Sequence, residues 1–223
     1  MRPVGLVAGL ALGMALAGGE ALAQATVDPA VGAAATPPEE AEEKAWSFSA
    51  GAYTYFLPDE GDYVQPTLTA DRGRLHLEAR YNYEDRETVS AWIGYNLRFG
   101  EKVTLDLTPM LGGVFGQTDG LAPGYKLSLG WRRLELSSES EYVIDTGDSS
   151  ESFFYTWSEL AWGPTDWCRL GLVVQRTKAY QTDFDIQRGL LAGVTYKDLD
   201  VTAYVFDPGE GQPTVVLGVS LGF

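Results

Sequence analysis

In residues 212–223, QPTVVLGVSLGF, two kinds of side chain alternate. Every second residue from Val215 to Phe223 is large and apolar, and most of the residues between them are small or polar. A period of two is the signature of a β-strand with one apolar face. The segment therefore predicts an amphipathic strand whose apolar face has to meet either a protein core or lipid.

The same alternation continues through residues 45–223, where the composition is rich in aromatic residues, β-branched residues and glycine. Turn residues bound each run, as expected for successive hairpins. No helical period and no further long apolar stretch stand out. The sequence predicts about twelve antiparallel strands, near 45–57, 62–71, 74–84, 87–99, 102–116, 121–132, 133–145, 152–162, 166–178, 185–196, 199–206 and 213–223.

The predicted connections alternate between longer acidic segments, such as PDEG, EDRE and DTGDSSE, and shorter mixed or basic segments, such as DRGR and GEK. An even number of strands puts both termini at the same end of the sheet. We expect loops this short to leave no plug inside a closed barrel. Pro66 and Pro109 each remove a backbone donor from a predicted strand, so we expect a β-bulge at each.

Apolar and ionisable side chains separate onto opposite faces of the predicted strands. In 75–80, for example, leucine or alanine alternates with His76, Glu78 and Arg80. A soluble sandwich or a lipocalin-like barrel has the same alternation with its apolar face turned inward. The distribution of aromatic residues separates these alternatives from a membrane barrel.

Two bands of aromatic residues are predicted at opposite strand ends. Four tryptophans fall at one end, and tyrosines and phenylalanines fall near the acidic loops at the other. Aromatic girdles on either side of an aliphatic belt are typical of transmembrane barrels. The first band is Trp46, Trp131, Trp162 and Trp167, and the second is Tyr55, Phe56, Tyr83, Phe115, Tyr142 and Phe154.

These girdles, with an apolar row that closes on Phe223, resemble the generic porin-like class of bacterial outer-membrane β-barrels, without indicating a specific family. The resemblance implies an all-β, up-and-down antiparallel transmembrane barrel of about twelve strands over 45–223, with short loops on both sides. It also implies an outer-membrane location, contact with outer-membrane lipids, and recognition of the strand ending at Phe223 by the barrel-assembly machinery. We expect a monomer by default.

The N-terminal 44 residues differ in composition from the rest of the chain. Residues 1–23 combine Arg2, an apolar run and the small-x-small site Ala21–Ala23, which predicts a secretory signal peptide. Residues 24–44 are rich in alanine, proline and glutamate and contain no aromatic residue. Such a segment cannot bury enough apolar surface to fold, so we expect a disordered periplasmic segment.

If the apolar face meets lipid, the ionisable face lines the lumen. A barrel of about 8 strands is filled and one of 16–18 is open, so twelve strands allow either a narrow pore or a lumen closed by arginine–carboxylate pairs. We expect an acidic wall at 135, 139, 141 and 159, opposed by arginines. The candidate lumen-lining residues are His76, Glu78, Arg80, Asn82, Arg98, Asp106, Lys126, Glu135, Glu139, Glu141, Glu159, Arg169 and Asp200.

The sequence gives little support for catalysis or metal binding. The single histidine, His76, lies mid-strand. This position favours a role in an inward polar network over a role in a catalytic triad. The run Asp145–Asp148 lacks the full spacing of a calcium loop, and no cofactor motif occurs. The net charge of −15 excludes a basic nucleic-acid footprint.

Three functions follow from these patterns. The leading hypothesis is a narrow passive channel for small polar or charged solutes, by analogy with twelve-stranded channels for nucleosides, sugars and sugar acids. The alternative is a closed, non-conducting barrel that acts structurally or binds a partner. An outer-membrane lipid- or peptide-processing enzyme is the least favoured of the three.

Overall fold

The structure, a computed structural model, describes residues 45–58, 61–176, 186–209 and 213–223. The predicted signal peptide (1–23) and N-terminal segment (24–44) lie outside the described residues. The described strands are β1 Ser47–Phe56, β2 Tyr63–Arg72, β3 Leu75–Tyr81, β4 Val89–Tyr95, β5 Leu97–Phe99, β6 Val103–Phe115, β7 Gly120–Trp131, β8 Leu134–Asp145, β9 Phe153–Thr165, β10 Cys168–Arg176, β11 Gln187–Tyr196, β12 Leu199–Phe206 and β13 Thr214–Gly222. A single 3-10 turn, Ser149–Glu151, precedes β9.

The strands form one closed antiparallel barrel. Neighbours in the sequence pair with each other, and the first strand, β1, pairs with the last, β13. β4 and β5 both pair with β6 in the same register, so they are two halves of one stave. The barrel therefore has twelve staves, and the predicted all-β, up-and-down architecture is confirmed.

The two ends of the barrel differ in their connections. At the end that carries both termini, called here the terminal end, four of the five hairpins turn in two residues. Gly73, Arg132 and Lys197 have positive φ angles of 63°, 57° and 55° in three of these turns. Such angles match the twist of two-residue hairpins. The opposite end, called the loop end, has the longer connections.

The structure shows no bulge at either proline, so that prediction is wrong. Pro109 pairs with Tyr125 in an unshifted register. On its other side the ladder stops at the pair Gly94–Met110 and resumes at Leu97–Leu107, so Pro109, which faces Tyr95, lies in an unpaired interval where its missing N–H has no partner to lose. Pro66 likewise lies one residue beyond the β2–β3 ladder, which ends at Thr67. A register shift occurs instead between Cys168 and Leu170.

The apolar face of the barrel points outward. Leu68, Ile93, Leu111 and Leu172 are each more than half exposed at mid-strand, whereas the alternate residues are buried inside. A barrel with an aliphatic exterior and a polar interior has the polarity of a membrane barrel rather than of a soluble one. Among the described residues, no helix is long and apolar enough to cross a membrane.

The predicted interface aromatics all lie on the exterior at the terminal end and are 40–72% exposed: Trp46, Trp131, Trp162, Trp167 and Phe223. In the second predicted band, Phe56, Phe115, Tyr142 and Phe154 are also exposed. Tyr55 and Tyr83 are not, because both are buried inside the barrel. Their assignment to the girdle was wrong. The alternation of β3 ends at Tyr81, and a positive φ of 56° at Asn82 turns Tyr83 inward.

Candidate functional site

Arg80 is the centre of an ionic cluster that crosses the interior. It projects from β3, and its Nη1 atom lies 2.8 Å from Glu141 Oε2 on β8, which is not a neighbouring stave. Arg80 Nη2 is 2.6 Å from Glu139 Oε1, and Arg80 Nε donates to Glu78 Oε1 at 2.7 Å. Lys126 contacts Glu78 as well. These five residues, called the Arg80 cluster, join β3 to the non-neighbouring staves β7 and β8 across the interior.

Aromatic rings hold the guanidinium of Arg80 in place. Its Cζ atom lies 4.4 Å from the ring centroid of Tyr83 and 4.5 Å from that of Trp92. Cation–π contacts of this kind are strongest where water is excluded, and the side chain of Arg80 is fully buried. The cluster is therefore held by both charge and ring contacts.

The loop 82–88, between β3 and β4, folds into the mouth at the loop end. Glu84 lies in the interior, where it accepts hydrogen bonds from Ser90 Oγ at 2.6 Å and Trp92 Nε1 at 3.3 Å. Asp85 accepts a 2.9 Å hydrogen bond from Thr118 in the loop after β6. Glu84 also lies 3.5 Å from Arg80. The expectation that short loops leave the interior unplugged is thus wrong, because seven residues are enough to send two carboxylates inward.

A second ionic cluster, called the Arg169 cluster, consists of Glu159, Arg169 and Asp200. Arg169 Nη1 is 2.9 Å from Glu159 Oε2, and its Nη2 is 3.6 Å from Asp200 Oδ1. Glu159 Oε1 accepts hydrogen bonds from Trp157 Nε1 at 2.7 Å and Tyr204 OH at 2.9 Å. Each charge in this cluster therefore has a buried polar partner.

An interior cavity of about 20 Å³ lies between the two clusters. Its walls include Glu78 and Glu139 of the first cluster and Asp200 of the second. Tyr53 also borders it, and the ring of that tyrosine packs so closely on Gly218 that a Cβ there would lie 2.7 Å from Cε1. The absence of a side chain at Gly218 therefore leaves room for the ring of Tyr53 inside the barrel.

The interior as described carries more buried carboxylates than buried cations. Six carboxylates and three basic side chains are at most 8% exposed. Counted as ionised, these groups carry an excess of three negative charges, or two if His76 is protonated, and Asp85 at the loop end, 9% exposed, is a further buried carboxylate. The carboxylates are Glu78, Glu84, Glu139, Glu141, Glu159 and Asp200, and the cations are Arg80, Lys126 and Arg169.

Most of the predicted lumen-lining residues lie in or beside the two clusters, but four lie elsewhere. Asn82 sits in the loop, where its side chain donates to Val64 O and accepts from Glu87 N. Arg98 and Asp106 form a 2.5 Å pair near the terminal end, with Arg98 54% exposed. Glu135, half-buried, accepts a 3.1 Å bond from Ser128. The sequence predicted an acidic wall with the arginines elsewhere in the lumen. In the structure Arg80 contacts Glu139 and Glu141 directly, and Arg169 contacts Glu159.

His76 has both ring nitrogens engaged by carboxylates. Nδ1 lies 2.8 Å from Asp71 Oδ1 and Nε2 lies 3.0 Å from Glu78 Oε2. Neither nitrogen is directed at a serine, so the ring belongs to the polar network rather than to a triad geometry. Asp71 was missed by the sequence reasoning, although its inward parity on β2 could have identified it.

Comparison with known proteins gives a structural match only. No protein-family model matches the sequence, and no curated protein matches it. The solved structures that are similar include "KdgM porin" and "KdgM porin in complex with disordered oligogalacturonate". Each has a TM-score of 0.53 at 12% sequence identity, and each match covers 78% of this chain and 99% of the other.

At that identity the match concerns the fold. Closed antiparallel barrels with an apolar exterior and a polar interior are of the outer-membrane type, and the exterior of this barrel has that character. The chain is an outer-membrane, porin-like β-barrel of twelve staves.

Proposed function

We propose that the protein is a narrow passive channel for small polar solutes and that the described conformation is its closed state. The observation that carries the proposal is the kind of contact that crosses the lumen. Staves that are not neighbours are joined by side-chain ion pairs, such as Arg80 with Glu141 and Lys126 with Glu78. Side chains exchange such partners without any change in the backbone of the barrel, and selectivity in pores comes from wall groups of this kind.

The interior charge favours cationic or neutral solutes over anions. Three buried carboxylates in excess attract cations to the lumen and repel anions. One similar structure is titled as a porin in complex with oligogalacturonate, an acidic saccharide. The buried charge of this chain has the opposite preference, so we propose that its solutes differ in charge from that one.

We propose that the loop 82–88 is the movable part at the loop end. Its inward position depends on Glu84 and Asp85, which are bonded to Ser90 and Thr118. Replacing both acids with amides weakens these charge-assisted hydrogen bonds without removing side-chain volume.

Planar-bilayer recording of the full chain tests the channel directly. We expect discrete current steps and a cation-selective reversal potential in a salt gradient. The double variant Glu84→Gln, Asp85→Asn should spend more time open than the wild type. Glu87→Gln is the matched control, because Glu87 is in the same loop but exposed. Silence in the wild type and in the double variant would contradict the channel.

A closed structural or partner-binding barrel is the second candidate. The low exposure of the mid-barrel side chains favours it, since Lys126 and Arg80 are only 1% and 2% exposed. A barrel that never conducts should stay silent in every loop variant while keeping its folded stability. An enzymatic role would require activity that disappears in His76→Ala.

We further propose the partners that follow from the location. The exterior contacts outer-membrane lipids, and the strand ending at Phe223 is the recognition element for the assembly machinery. Residues 1–23 would then be the secretory signal, residues 24–44 a periplasmic segment, and the barrel a monomer. Protease protection of refolded and cell-derived protein, with native mass measurement in detergent, tests these three assignments.

A further inference from the structure

An open groove of about 370 Å³ lies on the exterior of the barrel, across β1, β2 and β3 near the terminal end. Three of its residues, Ser49, Thr69 and Glu78, are buried residues that point inward, so the groove itself faces lipid and not the lumen. The residues that point outward, which line what is called here the β1–β3 groove, are all apolar: Phe48, Leu68, Ala70, Leu77, Ala79 and Phe223.

Strand register explains the shape of the β1–β3 groove. The ladders set Phe48 opposite Ala70, and Ala70 opposite Leu77, so a small side chain lies between two large ones. One side of the groove is a row of stacked rings, in which the ring centroid of Phe48 lies 6.0 Å from that of Phe223 and 6.1 Å from that of Trp46. A trough between aromatic and aliphatic side chains has the polarity of a binding site for a hydrocarbon chain.

Two exposed arginines, Arg72 and Arg74, lie where the groove reaches the terminal end. Arg72 follows Ala70 by two residues on the same face of β2, about 7 Å along the strand. Its Cζ atom lies 5.9 Å from the ring centroid of Trp46, and Arg74 Nη1 donates a 2.7 Å hydrogen bond to Tyr95 OH. Guanidinium groups bind phosphate oxygens in a bidentate geometry. The apolar groove therefore leads to a pair of phosphate ligands at the level of the exposed aromatic residues.

The terminal end as a whole carries positive charge on its surface. In or next to its five turns, six basic side chains and three acidic side chains are exposed, which is an excess of three positive charges. Basic residues next to a membrane interface attract anionic headgroups. The basic residues are Arg72, Arg74, Lys102, Arg132, Arg133 and Lys197, and the acidic residues are Glu101, Asp166 and Asp198.

We propose that the β1–β3 groove binds one anionic phospholipid of the phosphatidylglycerol class. An acyl chain lies along the groove between Phe48 and Leu77, and the lipid phosphate lies at Arg72 and Arg74. Phosphatidylcholine also has a phosphate, but its quaternary ammonium group cancels the charge. The positive excess at this end therefore favours the anionic lipid.

This site deepens the proposed contact with outer-membrane lipids, and it rests on that contact. It does not depend on conduction, so bilayer recordings test the channel and leave the lipid site untouched. Failure to retain any lipid would contradict the lipid contact as a whole. Equal retention of anionic and zwitterionic lipid would contradict the proposed site alone.

The test is native mass spectrometry of the full chain, refolded in detergent micelles and titrated with dioleoyl phosphatidylglycerol or dioleoyl phosphatidylcholine. We expect the first phosphatidylglycerol to bind at least about fivefold more tightly than the first phosphatidylcholine. The double variant Arg72→Gln, Arg74→Gln should lose this preference. Arg132→Gln, Lys197→Gln is the matched control and should keep it. Both of its residues are exposed at the same end and lie 5.5–5.8 Å from the centroid of an aromatic ring, but neither lines the groove.

Filling the groove tests the acyl-chain half of the site without changing any charge. Ala79→Leu places a larger apolar side chain in the groove on an exposed, lipid-facing position, so the barrel should still fold. We expect the first molecule of either lipid to bind at least about threefold more weakly. Ala203→Leu is the control, because Ala203 is also exposed on the exterior but lies on β12, outside the groove.

Four results would overturn the site. One is equal affinity for the first molecule of the two lipids. Another is a loss of preference in Arg132→Gln, Lys197→Gln as large as in Arg72→Gln, Arg74→Gln, since the charge of the whole end would then be the cause. The third is unchanged lipid binding in Ala79→Leu. The fourth is a lipid-free dimer that Ala79→Leu dissociates, because the groove would then be covered by a second copy of the chain.

Discussion

Removing the charge of Arg80 should destabilise the barrel more than any change to an exposed arginine. In Arg80→Met the side chain keeps much of its length, but Glu141 and Glu84 lose the only cation that contacts them in the described structure. Glu139 keeps Lys126 at 3.6 Å, and Glu78 keeps Lys126 and His76. Breaking a buried pair from one side costs about 3–5 kcal/mol. We expect a loss of that size, because all these groups are nearly inaccessible to solvent.

The assay is urea-dependent unfolding of the refolded full chain, followed by tryptophan fluorescence. The control is Arg132→Met, whose side chain is exposed in the turn between β7 and β8 and lies 5.8 Å from the Trp131 ring centroid. Exposed contacts of this kind contribute about 0–1 kcal/mol. Both variants lose one positive charge, so the difference between their free energies of unfolding measures the effect of burying that charge.

A rescue variant tests whether charge is the cause. Adding Glu141→Gln to Arg80→Met removes one of the stranded carboxylates, so the double variant should recover part of the lost free energy of unfolding. The reasoning is refuted if Arg80→Met costs no more than Arg132→Met. It is also refuted if Glu141→Gln makes the Arg80→Met protein less stable still, since the stranded charge would then not be the cost.

Three further outcomes are expected. Gly112→Ala places a Cβ 2.5 Å from the ring of Trp92, so it should cost about 1–3 kcal/mol by overpacking and shift the tryptophan emission. Phe223→Ala should lower the folded yield in cells while changing the unfolding free energy by less than about 1 kcal/mol, because that ring is 72% exposed. Leu172→Arg, at the middle of the lipid-facing belt, should cost about 2–4 kcal/mol in vesicles, against about 0–1 for Leu134→Arg at the rim.

The alternation of the sequence was sufficient to predict the barrel strands, because the β-strand is the regular structure that places every second side chain on the same face. It placed the apolar set outward and the twelve staves along the chain. It failed where a single residue changes the backbone. Asn82 adopts a left-handed conformation that reverses the parity of Tyr83. Pro109 is accommodated without a bulge, because it lies where the pairing with the neighbouring stave is interrupted at Tyr95 and Asn96.

The candidate site was predictable as a set of inward residues but not as a set of contacts. Parity along β3 and β8 identifies Arg80, Glu139 and Glu141, yet their contact depends on barrel shear and side-chain length, which no local pattern encodes. Glu84 was missed for a different reason. It belongs to a loop by composition, and only the inward fold of that loop, bonded to Ser90 and Trp92, shows that it is interior.

The excess of buried carboxylate bears on why such a barrel would open. A structural barrel gains stability when buried ion pairs are replaced by apolar groups of similar volume, whereas this interior keeps six acids around three cations. In the proposed channel, water entering the lumen lowers the cost of the excess carboxylate charge that shares Arg80, so hydration and opening favour each other. The proposed closed state, held by Arg80 and penalised by this excess of acids, lies closer in free energy to a water-filled state than an apolar plug would.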